Sequence, residues 1–117
     1  MAHILYVEDH PPAQLLMRAI IGDMTPHRLS VAATGKEALT AAAKAPADLY
    51  IVDLDLPDMD GMALIRALKN LRPAPALLVS AYAESVESNT LGDLVFAYLA
   101  KPLDPNDVAH TVERALA

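Results

Sequence analysis

The sequence contains no cysteine, few basic residues and no apolar run long enough to cross a membrane. The lack of cysteine excludes disulfides, thiolate zinc sites and cysteine nucleophiles. A membrane-spanning helix needs about 20 uninterrupted apolar residues, and no run approaches that length. The first residues have no basic stretch and lead directly into an apolar run, so no signal peptide is visible. We therefore expect a cytoplasmic protein with no membrane association.

Basic residues are outnumbered by acidic ones. Nine lysines and arginines stand against fifteen aspartates and glutamates, which gives a formal net charge of −6 with the four histidines neutral. No basic run is longer than one residue, and a domain this acidic repels phosphate backbones. We expect no direct binding to nucleic acid.

The length of 117 residues corresponds to one domain, since globular domains cluster at about 100–150 residues. A chain of this size buries about 65% of its unfolded surface, which is enough for a core without covalent cross-links. No linker, repeat or low-complexity tract divides the sequence. We predict a single domain over residues 1–117.

Apolar runs of strand length recur along the chain. Four of them, at residues 4–7, 49–52, 76–79 and 96–99, are apolar throughout, and a weaker one lies at 29–32. Runs that do not alternate between apolar and polar residues are typical of strands buried on both faces.

Segments with helical periodicity lie between these runs, and several have terminal signals. Pro11 and Pro12 stand where the first helix should begin, Asp104 and Pro105 where the last should. The second helix has a capping box at Thr34 and Glu37 and should stop at Pro46, and Asp60 should cap the third helix. Apolar stripes at residues 13, 16, 17 and 20 and at 64, 65, 68 and 71 mark the buried faces of the first and third helices. Residues 103 and 108 can form a hydrophobic staple at the start of the last helix. The segment 84–93 is rich in poor helix formers, which predicts a short or frayed element.

Strand and helix thus alternate five times. This alternation predicts an α/β fold with a doubly wound, five-stranded parallel sheet and right-handed crossovers. Ligands of such sheets bind at the carboxyl ends of the strands, where the strand order reverses. If the order is 2-1-3-4-5, the reversal lies between the first and third strands.

Polar side chains follow four of the predicted strands at their carboxyl ends. Glu8 and Asp9 follow the first, Asp53 the third, Ser80 the fourth and, after one alanine, Lys101 the fifth. Three carboxylates, a hydroxyl and an ammonium should therefore converge on one edge of the sheet. Crowded carboxylates repel one another unless a cation lies among them, and a hard cation such as Mg²⁺, or Mn²⁺, is the natural partner. Beside such an ion, Asp53 is equipped to attack phosphorus as a nucleophile.

These residues also identify a family. The chain resembles the receiver domain of two-component response regulators, chemotaxis regulators included, through the segments Val7-Glu8-Asp9-His10-Pro11, Val52-Asp53-Leu54-Asp55-Leu56-Pro57-Asp58-Met59-Asp60-Gly61, Val79-Ser80-Ala81 and Tyr98-Leu99-Ala100-Lys101-Pro102. The resemblance covers nearly the whole chain and implies a flavodoxin-like (βα)5 fold with strand order 2-1-3-4-5.

The resemblance also implies roles for individual residues. Asp53 would accept the phosphoryl group, and Asp9 and Asp53 would bind the metal directly. Glu8 would act mainly through water, and the backbone carbonyl of Asp55 would complete the ligands that the protein provides.

The same resemblance gives Ser80 the role of the switch hydroxyl, Lys101 that of the family's lysine and Tyr98 that of the switch aromatic. The Lys101–Pro102 peptide bond matches one that is cis in the family. The implied phosphodonor is a histidine kinase or a histidine phosphotransfer protein. The implied function is a signalling switch rather than an enzyme, with a downstream effector that is unknown and a homodimer that forms on phosphorylation as a further expectation.

Three other interpretations of the acidic residues lead to different functions. The acidic run that begins at Asp53 is not an EF-hand, because Asp58 and Leu64 stand where that loop needs glycine and glutamate. The Asp53-Leu54-Asp55 segment resembles the nucleophile motif of haloacid dehalogenase-type phosphatases, but that family expects threonine or valine in place of Pro57 and a longer chain. A docking module whose acidic site is never phosphorylated stays open.

Overall fold

The structure, a computed structural model, describes residues 1–81 and 94–117. Five strands and four helices lie in this part of the chain. They are β1 (His3–Val7), α1 (Pro11–Met24), β2 (Arg28–Ala32), α2 (Gly35–Lys44), β3 (Leu49–Asp53), α3 (Gly61–Leu71), β4 (Ala76–Ser80), β5 (Ala97–Ala100) and α4 (Pro105–Leu116). The short or frayed element expected at 84–93 lies outside the described residues.

All strand pairs are parallel, and the sheet order is β2-β1-β3-β4-β5. The predicted fold class and strand order are therefore confirmed. Each predicted strand coincides with an observed one to within a residue at either end. Asp53 and Ser80 are the last residues of β3 and β4 rather than the first residues after them.

The sheet separates two apolar layers, because successive side chains of a strand point to opposite faces. Leu5 and Val7 lie on the face that packs against α2 and α3, whereas Ile4 and Tyr6 lie on the face that packs against α1 and α4. The three central strands are buried on both faces, as their unbroken apolar runs predict.

The strand β5 differs from that prediction. Tyr98 is 36% exposed and Phe96, just before the strand, is 47% exposed, so the run 96–99 is not buried on both sides. The physical reason is position, because β5 is the outermost of the described strands and is paired on one side only, with β4. The guanidinium of Arg114 lies 5.6 Å from the centre of the Phe96 ring. Leu16 and Leu71, expected in apolar helix stripes, are also exposed.

The predicted helix caps are present. The Thr34 hydroxyl accepts a hydrogen bond from the Glu37 amide at 3.1 Å, and the Glu37 carboxylate reaches back to the Ala33 amide at 2.9 Å. The Asp60 and Asp104 carboxylates accept bonds from the amides two residues on, at 3.3 and 2.9 Å. Among the described helices, none combines the length and the hydrophobicity needed to cross a membrane.

Candidate functional site

The register of the sheet brings the carboxyl ends of four strands to one level. Val7 pairs with Val52, Asp53 with Val79, and Ser80 with Ala100. The residues at or just beyond these positions therefore meet at one edge, beside the reversal of strand order between β1 and β3. This is the edge at which open parallel sheets bind ligands.

Three carboxylates are close together there. Oxygen atoms of Glu8, Asp9 and Asp53 all lie within 4.8 Å of one another. Glu8 and Asp53 are 1% and 4% exposed, whereas Asp9 is open to solvent. The structure thus brings together the three acidic side chains that the sequence predicts to meet.

Lys101 joins two of these carboxylates. Its Nζ atom lies 2.9 Å from Glu8 Oε1 and 3.1 Å from Asp53 Oδ2. Burial alone would lower the pKa of Lys101, yet its hydrogen bonds to both carboxylates raise that pKa above its usual value. The lysine is therefore a fixed positive charge at the site.

The two buried carboxylates are in different electrostatic situations. Burial acts to raise the pKa of Glu8, but the hydrogen bonds from Lys101 and from the His10 amide outweigh it and hold that pKa below its usual range. The pKa of Asp53 is instead above its usual value. Burial raises it, and the hydrogen bond from Lys101 does not fully offset this effect, partly because the charge of Glu8 acts in the same direction as burial. Glu8 is the well-compensated anion and Asp53 the poorly compensated one.

Three neighbours of Glu8 were not predicted from the sequence. The Tyr6 hydroxyl lies 3.3 Å from Glu8 Oε1, the His10 amide donates to Glu8 Oε2 at 3.2 Å, and Gln14 Nε2 donates to the Glu8 carbonyl at 2.6 Å. Burial raises the pKa of Tyr6, and the charges of Glu8 and Asp53 add to that effect, so the hydroxyl keeps its proton and donates. Because Tyr6 lies in β1 and Glu8 directly follows that strand two residues later, the two-residue period could have revealed their shared face.

The remaining predicted residues lie around this cluster. Ser80 is buried at the end of β4, and its carbonyl accepts from the Lys101 amide at 3.0 Å. Asp55 is exposed in the loop after β3, where its amide donates to Asp53 Oδ1 at 3.4 Å. The Lys101–Pro102 peptide bond is cis.

Tyr98 stands apart from the acidic cluster. It lines a groove of about 470 Å³ between β5 and α4, together with Leu103, Asp104 and Thr111. Tyr98 borders this groove, and its switching role stays a prediction.

The donor set fits a divalent cation. Three carboxylates and one ammonium leave a formal charge of −2, and carboxylate oxygens are ligands that Mg²⁺ prefers. Asp9 forms no ion pair with Lys101 and faces solvent, so a cation can enter the cluster from the side of Asp9. The site can therefore neutralise a cation and present Asp53 beside it.

Comparison with known proteins agrees with this geometry. Residues 4–113 match the family model of the response regulator receiver domain. The chain is 33% identical to part of the transcriptional regulatory protein ZraR of Escherichia coli strain K12, with 97% of this chain and 26% of ZraR aligned. It is also 33% identical to part of the signal transduction histidine-protein kinase BarA of Shigella flexneri, with 86% of this chain and 11% of BarA aligned.

Solved structures agree as well. The chemotaxis protein CheY4 of Vibrio cholerae superposes with a TM-score of 0.85 at 27% identity, over 99% of both chains. In contrast to CheY4, the two sequence relatives are much longer, and the chain spans only about a quarter of ZraR and about a tenth of BarA. Because the family model covers nearly all of its residues, the chain belongs to the response regulator receiver domains, which act in phosphorylation-dependent two-component signalling.

Proposed function

We propose that residues 1–117 form one receiver domain that accepts a phosphoryl group on Asp53 in the cytoplasm, from a histidine kinase or a histidine phosphotransfer protein. The observation that carries this proposal is the position of Asp53. Its buried carboxylate lies within 4.8 Å of two other carboxylates and 3.1 Å from the Lys101 ammonium. In this proposal the domain is a switch rather than a classical enzyme, because its own side chain is modified.

The proposed transfer begins at phosphohistidine. A carboxylate oxygen of Asp53 attacks the phosphorus atom, the P–N bond breaks as the new P–O bond forms, and the departing imidazole nitrogen takes up a proton from solvent. The burial that raises the pKa of Asp53 also makes its carboxylate more basic, which favours attack.

Glu8, Asp9, Asp53 and the carbonyl of Asp55 would hold the cation, Mg²⁺ or Mn²⁺. When bound, the ion would neutralise charge on the carboxylates and the phosphoryl oxygens. The ammonium of Lys101, now shared by Glu8 and Asp53, is within reach of a group attached to Asp53. The hydroxyl of Ser80, at the end of the neighbouring strand, would donate to a phosphoryl oxygen.

The test is direct phosphorylation with a small phosphodonor. Acetyl phosphate with Mg²⁺ should add one phosphoryl group to the intact protein, detected by mass spectrometry and removed by hydroxylamine. Asp53→Asn should abolish the modification. Asp23→Asn is the matched control, because it makes the same carboxylate-to-amide change in the last turn of α1, at the end far from the site, so it should still be modified.

Modification of Asp53→Asn to the same extent as the wild type would remove Asp53 from this role. If neither acetyl phosphate nor any histidine kinase modified the wild type, the docking-module alternative would replace this proposal. Partners downstream of the domain, including a second copy in a homodimer that forms on phosphorylation, belong to the proposal too. Size-exclusion chromatography of the modified protein tests the dimer.

A further inference from the structure

The carboxylate of Asp58 binds the beginning of a helix that is distant in sequence. Asp58 lies in the loop between β3 and α3, yet its Oδ1 accepts from the Gly35 amide at 2.9 Å and its Oδ2 from the Lys36 amide at 3.1 Å. These are the first two amides of α2, which no carbonyl of the helix can satisfy. The two hydrogen bonds also hold the pKa of Asp58 below its usual value, so the carboxylate is charged at the positive end of the helix dipole.

The cap of α2 is therefore shared between two sources. Thr34, adjacent in sequence, accepts from the third amide at 3.1 Å, while Asp58 accepts from the first two. A substitution of Thr34 weakens the helix alone, whereas a substitution of Asp58 also releases the β3–α3 loop. This difference provides a matched control within one helix end.

The loop 54–60 is closed at its neck. The Leu54 amide donates to the Val79 carbonyl at 2.8 Å, and the Gly61 amide donates to the Leu54 carbonyl at 2.9 Å. Asp55 and Asp60 form a bridge across the neck. These bonds join the two ends of the loop to each other and to the sheet.

The tip of the loop is held by α2 instead. Asp58 binds the helix amides, and Met59 packs against Gly35 so closely that a Cβ atom at Gly35 would collide with the Met59 sulfur. Residues 56–59 are thus positioned by these contacts with α2, in addition to the packing of Leu56 and Met59 against the apolar core. Asp55 adjoins this tip: the neck pairs it with Asp60, and its carbonyl, a ligand in the proposed metal site, belongs to the peptide unit that leads into residues 56–59.

We propose that Asp58 is a positioning residue for the metal site, because its hold on α2 fixes the loop that carries the Asp55 carbonyl relative to Asp53. This inference rests on the proposed function, since it concerns the same cation. A loop that is already ordered loses less conformational entropy when it binds an ion. Linkage is reciprocal, so cation binding must in turn strengthen the cap of α2.

The first experiment measures Mg²⁺ affinity by isothermal titration calorimetry on the wild type, Asp58→Ala, Asp58→Asn and Thr34→Ala. Residues that orient metal ligands change affinity by about 10–100-fold, so a more distant residue such as Asp58 should weaken binding by about threefold to tenfold when replaced by alanine. Thr34→Ala should bind like the wild type. Asp58→Asn should lie between, because its amide oxygen can still accept from Gly35 although the charge is lost.

The second experiment gives a first result on the wild type alone and a second on Asp58→Ala. Amide hydrogen exchange of the wild type, followed by NMR, should slow at Gly35 and Lys36 when Mg²⁺ is added. The Glu37 amide, which Thr34 caps, should change less. In Asp58→Ala the effect of Mg²⁺ on these amides should disappear.

The outcomes separate the two proposals. A wild type that does not bind Mg²⁺ would overturn the proposed metal site and this inference together. A wild type that binds, with Asp58→Ala and Thr34→Ala equally impaired or equally unimpaired, would overturn only the role of Asp58. Equal weakening in Asp58→Ala and Asp58→Asn would assign the effect to charge rather than to the hold on α2, and would overturn the inference as well. If Asp58→Ala did not fold, unchanged exchange at Gly35 and Lys36 in the wild type would still contradict it.

Discussion

At the scale of single residues, the site divides its charges unequally. Lys101 contacts both buried carboxylates, yet the pKa of Glu8 falls below its usual value while that of Asp53 rises. Burial is the largest influence on both groups, but Glu8 has the additional hydrogen bond from the His10 amide, and Asp53 faces the charge of Glu8. The residue proposed as nucleophile is therefore the one whose charge is least favourable to the fold.

This difference predicts that Asp53→Asn stabilises the protein in the absence of divalent cations. The single amide oxygen of an asparagine can still accept from Lys101, whose ammonium also contacts Glu8, although the longer bond from the Asp55 amide is lost. The substitution removes a charge whose pKa burial raises. We expect a higher Tm for the variant than for the wild type at pH 7, measured by circular dichroism in EDTA. An equal or lower Tm would contradict the electrostatic reading.

The pH dependence gives the sign of the effect. Because the pKa of Asp53 is raised in the folded protein, the folded state takes up the proton first as the pH falls. The free energy of unfolding of the wild type should therefore rise relative to that of Asp53→Asn as the pH falls through the folded pKa. This rise should be complete below the ordinary pKa of 3.8. Glu8→Gln is the opposite case, since the pKa of Glu8 is lowered. The Glu8→Gln substitution should destabilise the protein above pH 4.5, the ordinary pKa of glutamate, and this effect should vanish as the pH falls through the folded pKa.

At the scale of secondary-structure elements, α2 is held at both ends by residues that flank α3. Asp58, before α3, binds the first amides of α2, and Arg72, after α3, donates to the Ala42 carbonyl at 2.8 Å and to the Ala43 carbonyl at 3.5 Å. An anion at the amino end and a cation at the carboxyl end both complement the helix dipole. The carbonyl of Arg72 is held in turn by the Tyr50 hydroxyl at 2.7 Å, which fixes this arrangement to the sheet.

Two glycines predict opposite results for the same substitution. A Cβ at Gly61 would meet the backbone of Asp53 and lie 2.8 Å from Leu54 Cα, so backbone would have to move. Gly61→Ala should destabilise the fold by about 1–3 kcal/mol, as overpacking does. Gly22 lies within α1, and no atom of the described residues is within 4 Å of a Cβ added there. Gly22→Ala should therefore stabilise the fold by about 0.5–1 kcal/mol through helix propensity.

Urea denaturation of both variants measures these changes. Gly61→Ala should also weaken Mg²⁺ binding, because the strained backbone is that of the site itself, whereas Gly22→Ala should leave it unchanged. If the two variants changed the free energy of unfolding and the Mg²⁺ affinity by equal amounts, the backbone around Gly61 would accommodate the Cβ without strain, and this prediction would be wrong.

At the scale of the whole molecule, the fold gathers negative charge at one edge of an already acidic domain. The formal net charge is −6, and three carboxylates share a few ångströms beside one lysine. Repulsion of this kind makes the folded state a stronger cation binder than the unfolded chain, in which the same groups are far apart in sequence. Binding should therefore stabilise the fold by mass action.

We expect Mg²⁺ to raise the Tm, and a concentration ten times the Kd corresponds to about 1.4 kcal/mol of added stability. Asp9→Ala should remove most of this rise, since Asp9 is an exposed member of the acidic cluster. Asp23→Ala is the control of equal charge, because Asp23 lies in the last turn of α1, at the end far from the site. If both variants responded to Mg²⁺ like the wild type, the cation would bind elsewhere on the acidic surface.

The sequence by itself determined the elements and the convergence of the site. Apolar runs, helix caps and terminal prolines act over a few residues, so their effects can be read locally, and Thr34, Asp60 and Asp104 cap helices as expected. The resemblance to receiver domains supplied the strand order. That order, with parallel register, places Glu8, Asp9, Asp53 and Lys101 together.

Only the tertiary structure decided how these residues are held. The contact of Asp58 with Gly35 and Lys36 spans 22 to 23 positions, and the ion pair of Lys101 with Asp53 spans 48. The exposure of Tyr98 follows from the place of β5 at the end of the sheet, although its apolar sequence is typical of a buried strand. The unequal pKa values of Glu8 and Asp53 likewise depend on burial and on donors from other elements. Such effects depend on which elements become neighbours, and no local pattern of residues encodes that.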